Sequence, residues 1–302
     1  MRLSLFGPRY NADMHRFLLH NGQVLENAGR VLVPGQVGLL HGWGVFSTIR
    51  VFDGVLFAFE RHWARMSRDA QLLRVPFPAD AGELERNLLR LVEANHASNS
   101  ALRVVVVRNR GGLWESDGLD SDFDVIAFTT GVKDWGRTVR LGMIADARQA
   151  ANRFAGTKML SWSLNLVCYE EAQSKGYNEV VLLNERGEVS ECTSANIFVS
   201  AGDEVFTPPL SSGCLPGITR EILLQETHPD GLQVVEKTLY PSDLEAADEV
   251  FITSTTRGLL PVDLIEGLKV KTADHMRPKL QAAFERYVNA YVARRKSAEA
   301  AR

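Results

Sequence analysis

Long apolar runs are missing from this chain. No stretch of about 18 apolar residues occurs, which excludes a hydrophobic helix able to span a bilayer. Cysteine is scarce. Cys168, Cys192 and Cys214 are the only three in 302 residues, odd in number and without metal-ligand spacing, so no metal site is expected and a reducing compartment is. An excess of one charge is absent too: 34 basic residues face 37 acidic ones, for a net charge of −3. The densest basic run, Arg294-Arg295-Lys296, reads as a solvated helix end, so no nucleic-acid partner is expected. The opening MRLSLFGPRY lacks an apolar core of signal-peptide length, which points to a cytoplasmic chain with no membrane partner.

What is present suits a soluble enzyme of one large or two smaller domains: 45% hydrophobic and 24% charged residues. FLLHNGQVLENAGRVLVPG and VFSTIRVFDGVLFAF read as β-hairpins turning at Asn21-Gly22 and Asp53-Gly54. ERHWARMSRDAQLLRV has helical spacing through Trp63, Met66, Ala70 and Leu73 up to Pro76. AGELERNLLRLVEANH is a second amphipathic helix with Leu84, Leu88, Leu91 and Val92 on one face. ALRVVVVRN and DFDVIAFTT are strands, and residues 131–137, with Lys133, Asp134 and Gly136, form a linker between a domain over 1–130 and another over 138–302.

Beyond the linker, TVRLGMIA is a strand. A helix is expected from Met159, with Leu160, Leu164, Val167, Cys168 and Ala172 inward and a stop at Lys175-Gly176. EVVLLNERGEVSE is a hairpin, NIFVS and EVFITST are strands, LPGITREILLQE opens a helix, and 274–295 is one long helix.

Five stretches could carry chemistry. In RFAGTKMLSW, Lys158 sits among small and apolar residues. It is either a solvated helix-start lysine or a buried amine of lowered basicity suited to Schiff-base chemistry. In SECTSANIF, Glu191 is a turn residue or a fixed anion for a cationic ring nitrogen. In CLPGITREI, Pro216 and Gly217 open a helix whose first amides, with Thr219, suit an anion. FITSTTRG ends a strand in hydroxyls from Thr253 to Thr256, and RHWAR places Arg65 where a guanidinium could meet a phosphate. Each stretch alone also has an ordinary structural explanation.

Their order and joint content resemble the class IV (fold type IV) pyridoxal-phosphate enzymes. That family includes the branched-chain and D-amino acid aminotransferases, the (R)-selective amine transaminases and the aminodeoxychorismate lyases. GVFSTIRVFDG with HWARM is similar to its N-terminal signature, GTKMLSWSLN to its lysine segment and EVSECTSANIF to its glutamate segment. TPPLSSGCLPGITR is similar to its phosphate loop and EVFITST to its last active-site strand, so the likeness runs from about Phe17 to the final helix.

The resemblance implies an α+β fold with a smaller N-terminal α/β domain, a larger β-rich C-terminal domain, pyridoxal 5′-phosphate at their interface, and a homodimer. It implies that Lys158 is the Schiff-base and proton-moving lysine and that Glu191 faces the pyridine nitrogen. Arg65, Leu215, Gly217, Ile218, Thr219 and Thr255 would complete the cofactor set. His41, Phe46, Thr48, Arg108, Trp162 and Thr256 would meet the substrate. The implied activity is transfer of an amino group between an apolar, branched L-amino acid and a 2-oxo acid such as 2-oxoglutarate. Lyase, D-amino acid and (R)-amine chemistry are alternatives, and a cofactor-binding protein without catalysis is the contrasting class. The chain also departs from the branched-chain pattern. His41 stands where a tyrosine is usual and Ser47-Thr48 where Glu-Gly is usual, a lyase-like feature; Arg103 and Arg108 could take a carboxylate, but Leu113 replaces a further lyase arginine.

Overall fold

The computed structural model describes residues 13–27, 32–33, 35–112 and 119–301; Leu113 therefore lies outside the described residues. The described chain divides into two compact units. One holds residues up to 133 together with 157–162 and 290–301; the other holds 134–156 and 163–289.

The first unit is a six-stranded antiparallel sheet ordered β2-β1-β6-β5-β3-β4. Its strands are β1 (Met14–His20), β2 (Gln23–Glu26), β3 (Gly44–Phe52), β4 (Val55–Leu56), β5 (Ser100–Arg108) and β6 (Phe123–Thr130). Both expected hairpins form. Asn21 and Gly22 have φ of 46° and 82°, Asp53 and Gly54 47° and 84°, the paired left-handed backbone that two-residue hairpins need and that Asn-Gly and Asp-Gly supply. A short helix α1 (Val37–His41) precedes β3. Helices α2 (Phe59–Leu73) and α3 (Ala81–Ala94) pack their apolar residues with those of the sheet, joining Met66, Ala70, Leu84, Leu88 and Leu91 to Val45, Ile49 and Leu102.

Alternation along β3 sorts its side chains. Val45, Ile49 and Val51 join that core, so Ser47 points the same way, while Phe46 and Thr48 point to the other face. The free edge of β3 near Gly44 is taken by residues 158–160. Phe46 donates its N–H to the Lys158 carbonyl at 3.1 Å and Leu160 donates to the Gly44 carbonyl at 2.9 Å. This corrects one expectation. Met159 and Leu160 are not helical, because the chain here pairs to the β3 edge through the Lys158 carbonyl and the Leu160 N–H.

The second unit is a mixed eight-stranded sheet, β12-β11-β10-β13-β14-β7-β8-β9. Its strands are β7 (Val139–Arg148), β8 (Glu179–Asn184), β9 (Val189–Cys192), β10 (Asn196–Ala201), β11 (Glu204–Thr207), β12 (Val234–Glu236), β13 (Glu249–Ser254) and β14 (Gly258–Ile265). Helix α4 (Ser163–Ser174) begins four residues later than expected and buries Ala172 alone. Leu164 and Val167, expected inward, are 76% and 61% exposed. Helices α5 (Ile218–Gln225), α6 (Pro241–Ala246) and α7 (Met276–Ala300) follow. No described helix is long and apolar enough to cross a membrane.

Candidate active site

The residues singled out by sequence fall into two groups, one in each unit. In the first unit, the amine of Lys158 lies 4.5 Å from the centroid of the Phe46 ring, and Trp162 meets that ring edge-to-face at 6.4 Å. Arg103 stacks its guanidinium 3.9 Å from the same centroid. Thr48 is the cross-strand partner of Arg103 and so shares that face.

Behind β3 lies a buried polar set around Arg65, of which sequence reading missed His62, Asp69 and the inward role of Ser47. Ser47 Oγ lies 2.7 Å from His62 Nδ1 and accepts a hydrogen bond from Arg65 Nη2 at 2.9 Å. All three side chains are buried. Burial pushes His62 well below its usual pKa, and the neighbouring charges of Arg65 and Lys158 push the same way, so the ring is neutral. Asp69, also buried, accepts the Lys158 backbone N–H at 3.0 Å. A signal for this set existed: His62, Arg65 and Asp69 follow the same 3–4 spacing as Met66 and Ala70, and Ser47 interrupts the inward run Val45, Ile49, Val51.

Arg108 and Arg103 separate here. Arg108 is tied to the protein itself: its Nε donates to the Arg110 carbonyl at 2.6 Å, a further nitrogen donates to the Arg74 carbonyl, and its guanidinium lies 4.1 Å from the Trp43 ring centroid. Arg103 has no hydrogen-bonded or ion-paired carboxylate among the described residues, and burial lowers its pKa. His41 ends α1 with its side chain exposed, and its carbonyl accepts from Ser161 Oγ at 3.2 Å.

In the second unit, Glu191 stands on β9 and is held from two sides. Arg148 Nε donates to Oε1 at 3.1 Å, and the Leu215 N–H donates to Oε2 at 3.0 Å. Arg148 was not anticipated, since nothing in the run IADARQA distinguishes it. Leu215 thus acts through its backbone N–H on Glu191. Gly217 is the N-cap of α5, and no side chain caps the helix. A Cβ at Gly217 would lie 2.0 Å from Asn196 Oδ1, so a larger residue there requires the Asn196 side chain to move. Ile218 and Thr219, both buried, form the first turn, where the amides and the dipole favour an anion. Thr255 and Thr256 are half-buried in the turn after β13. That turn is anchored by Arg257, whose Nη2 donates to buried Glu179 at 3.0 Å and whose guanidinium lies 3.7 Å from the Trp135 ring centroid.

These donors fit pyridoxal phosphate on their own chemistry. The first group offers an amine against an aromatic wall and a buried guanidinium, the second a fixed carboxylate and an uncapped helix N-terminus. Burial pushes the Cys214 thiol up to about 12 and raises Cys168 and Cys192 as well.

Comparison with known proteins agrees. Residues 44–265 match the family Amino-transferase class IV. The D-alanine aminotransferase of Bacillus licheniformis is 30% identical over 251 residues, covering 83% of this chain and 88% of that one. The branched-chain-amino-acid aminotransferase of Escherichia coli strain K12 is 29% identical over 269 residues, 84% and 86% of the two chains. A crystal structure of an Escherichia coli branched-chain amino acid aminotransferase superposes with a TM-score of 0.82 at 24% identity, over 91% of this chain and 95% of that one. The chain belongs to the class IV aminotransferases, enzymes dependent on pyridoxal phosphate.

Proposed function

We propose that this enzyme exchanges an amino group between an apolar, branched L-amino acid and 2-oxoglutarate. The observation that carries this reading is the wall beside Lys158: Phe46 and Trp162 packed edge-to-face, with the Arg103 guanidinium on the same ring. Aromatic faces suit an aliphatic side chain, and a desolvated guanidinium without a carboxylate partner among the described residues suits a substrate carboxylate. In this reading Arg103 takes the carboxylate role expected of Arg108, whose guanidinium is tied to the Arg110 and Arg74 carbonyls.

When bound, the cofactor supplies an electron sink that makes the substrate α-proton removable. Lys158 contributes its Nζ, as the nucleophile that attaches the cofactor and as the group that moves that proton. Glu191, fixed by Arg148 and Leu215, holds a proton on the pyridine nitrogen. Arg65, the amides of Ile218 and Thr219 and the Thr219 hydroxyl hold the phosphate, with Thr255 supplying a further hydroxyl. Thr256, Thr48 and His41 line the substrate side.

The enzyme works as a homodimer in this reading, supported by Leu164, Leu166 and Val167, which are 76%, 48% and 61% exposed on α4. Its three free cysteines suit the cytoplasm.

The test is to mix the enzyme with L- and D-amino acids and amines in turn, without an acceptor, and follow the visible band of the bound cofactor. Branched L-amino acids should bleach it and 2-oxoglutarate should restore it. Bleaching by D-amino acids or amines alone would reassign the donor. No bleaching, with pyruvate and 4-aminobenzoate formed from aminodeoxychorismate, would replace the aminotransferase reading with the lyase.

A further inference from the structure

Both peptide groups of Lys158 are pinned, and by different elements. The carbonyl accepts the Phe46 N–H of β3 at 3.1 Å, and the N–H donates to Asp69 Oδ2 of α2 at 3.0 Å. Asp69 is fully buried at 0% exposure. Its other oxygen takes Arg68, whose Nε donates at 3.0 Å. A buried carboxylate is costly unless both oxygens find donors, so its place here calls for a reason. Arg68 alone does not supply one, because its side chain is half exposed and could pair in solvent. The second donor is the main chain of the lysine itself.

Lysine carries its amine on a flexible four-carbon stem, so an unfixed backbone would spread Nζ over several ångströms. A misplacement of about 1 Å costs a reaction on the order of a hundredfold. Beyond the pairing to β3, residues 157–162 form no regular structure that would fix this backbone. One turn earlier on α2, Arg65 is fixed through Ser47. The helix thus sets two groups at a constant spacing: the main chain of Lys158 and the guanidinium of Arg65.

We infer that Asp69 is a positioning residue for Lys158, a buried acceptor on α2 that fixes the direction in which the lysine side chain leaves the backbone. The inference rests on the reading of Lys158 as the cofactor-attaching lysine. Asp69 touches no reacting atom; it acts through the N–H of Lys158.

The experiment strips the enzyme of cofactor, adds pyridoxal phosphate, and traps the product with borohydride at timed intervals. The rate at which the Lys158 peptide gains the cofactor mass is then read by mass spectrometry. Asp69→Asn keeps an oxygen acceptor and should stay within about threefold of the parent, whereas Asp69→Ala should slow labelling by roughly tenfold or more. Arg68→Ala, which spares the lysine contact, should leave the rate unchanged. In the unsubstituted holoenzyme, the Lys158 amide should exchange with deuterium at least about a hundredfold more slowly than an exposed amide. Parent-like labelling in Asp69→Ala, equal slowing in Asp69→Asn and Asp69→Ala, or an unprotected Lys158 amide would each overturn the assignment. If Asp69→Ala does not fold, the exchange measurement decides alone. Cofactor mass on a different lysine of the parent would instead overturn the reading of Lys158 itself, a separate outcome.

Discussion

Helices α2 and α3 pack with the same sheet, have similar lengths and are both amphipathic, yet they bury different chemistry. The inward face of α3 is aliphatic throughout: Leu84, Leu88, Leu91 and Val92. That of α2 interleaves Phe59, Met66 and Ala70 with His62, Arg65 and Asp69. The start of α3 is secured by Asp80, whose Oδ1 accepts the Gly82 and Glu83 amides at 2.8 and 3.1 Å, whereas no side chain caps α2. A helix that only stabilises can bury a uniform stripe. One that holds a site gives up apolar contacts for polar groups. The difference teaches where changes should register: α3 in stability, α2 in cofactor handling.

The largest effect should come from Leu88→Ala, at a fully buried core position. It should lower unfolding free energy by about 2–5 kcal/mol while cofactor affinity, measured on the protein that remains folded, stays near the parent value. Denaturant melts with a parallel cofactor titration check this, and a large affinity loss would break the division between the helices. Next, Arg65→Ala should weaken cofactor binding by about 1.5–3 kcal/mol, roughly ten- to a hundredfold, by removing a charge-assisted contact. Titrating cofactor-free enzyme reads it out; unchanged affinity would place the phosphate elsewhere. Asp80→Ala should cost about 1 kcal/mol of stability through the lost cap and leave the cofactor alone.

The smallest change concerns shape rather than size. The pKa of His62 in the folded state lies well below the usual 6.5, so the unfolded chain takes up a proton below about pH 6.5 that the folded chain refuses. Folding stability therefore falls as pH drops through that window. His62→Gln removes the group, and its stability should depend less on pH on the acid side than the parent's. Equal slopes from denaturant melts at several pH values would show that the imidazole does not carry this burden.

The sequence made the local features plain because their causes are local. Asn21-Gly22 and Asp53-Gly54 fix their turns by backbone preference, and the spacing of Leu84, Leu88 and Leu91 commits α3 whatever it packs against. The helix expected from Met159 failed for the opposite reason. Its first residues found a strand edge more than a hundred positions earlier, and no periodicity in a short window encodes that partner. Leu164 and Val167 looked inward by spacing alone, yet nothing among the described residues covers them.

Around the candidate site the same boundary holds. Residue types and order singled out Lys158, Glu191, Arg65 and Thr219 through their joint resemblance to the class IV family, since each alone has an ordinary structural explanation. The fold class followed from the same motifs. Tertiary structure alone decided what holds them: Arg148 on Glu191, Ser47 and His62 behind Arg65, Asp69 beneath Lys158, and Arg108 rather than Arg103 tied to backbone carbonyls. These are contacts between side chains or backbones brought together by sheet register and helix rotation. Hydrogen bonding acts over about 3 Å of space and not over positions in the chain, so one sequence read alone could name the actors and not their partners.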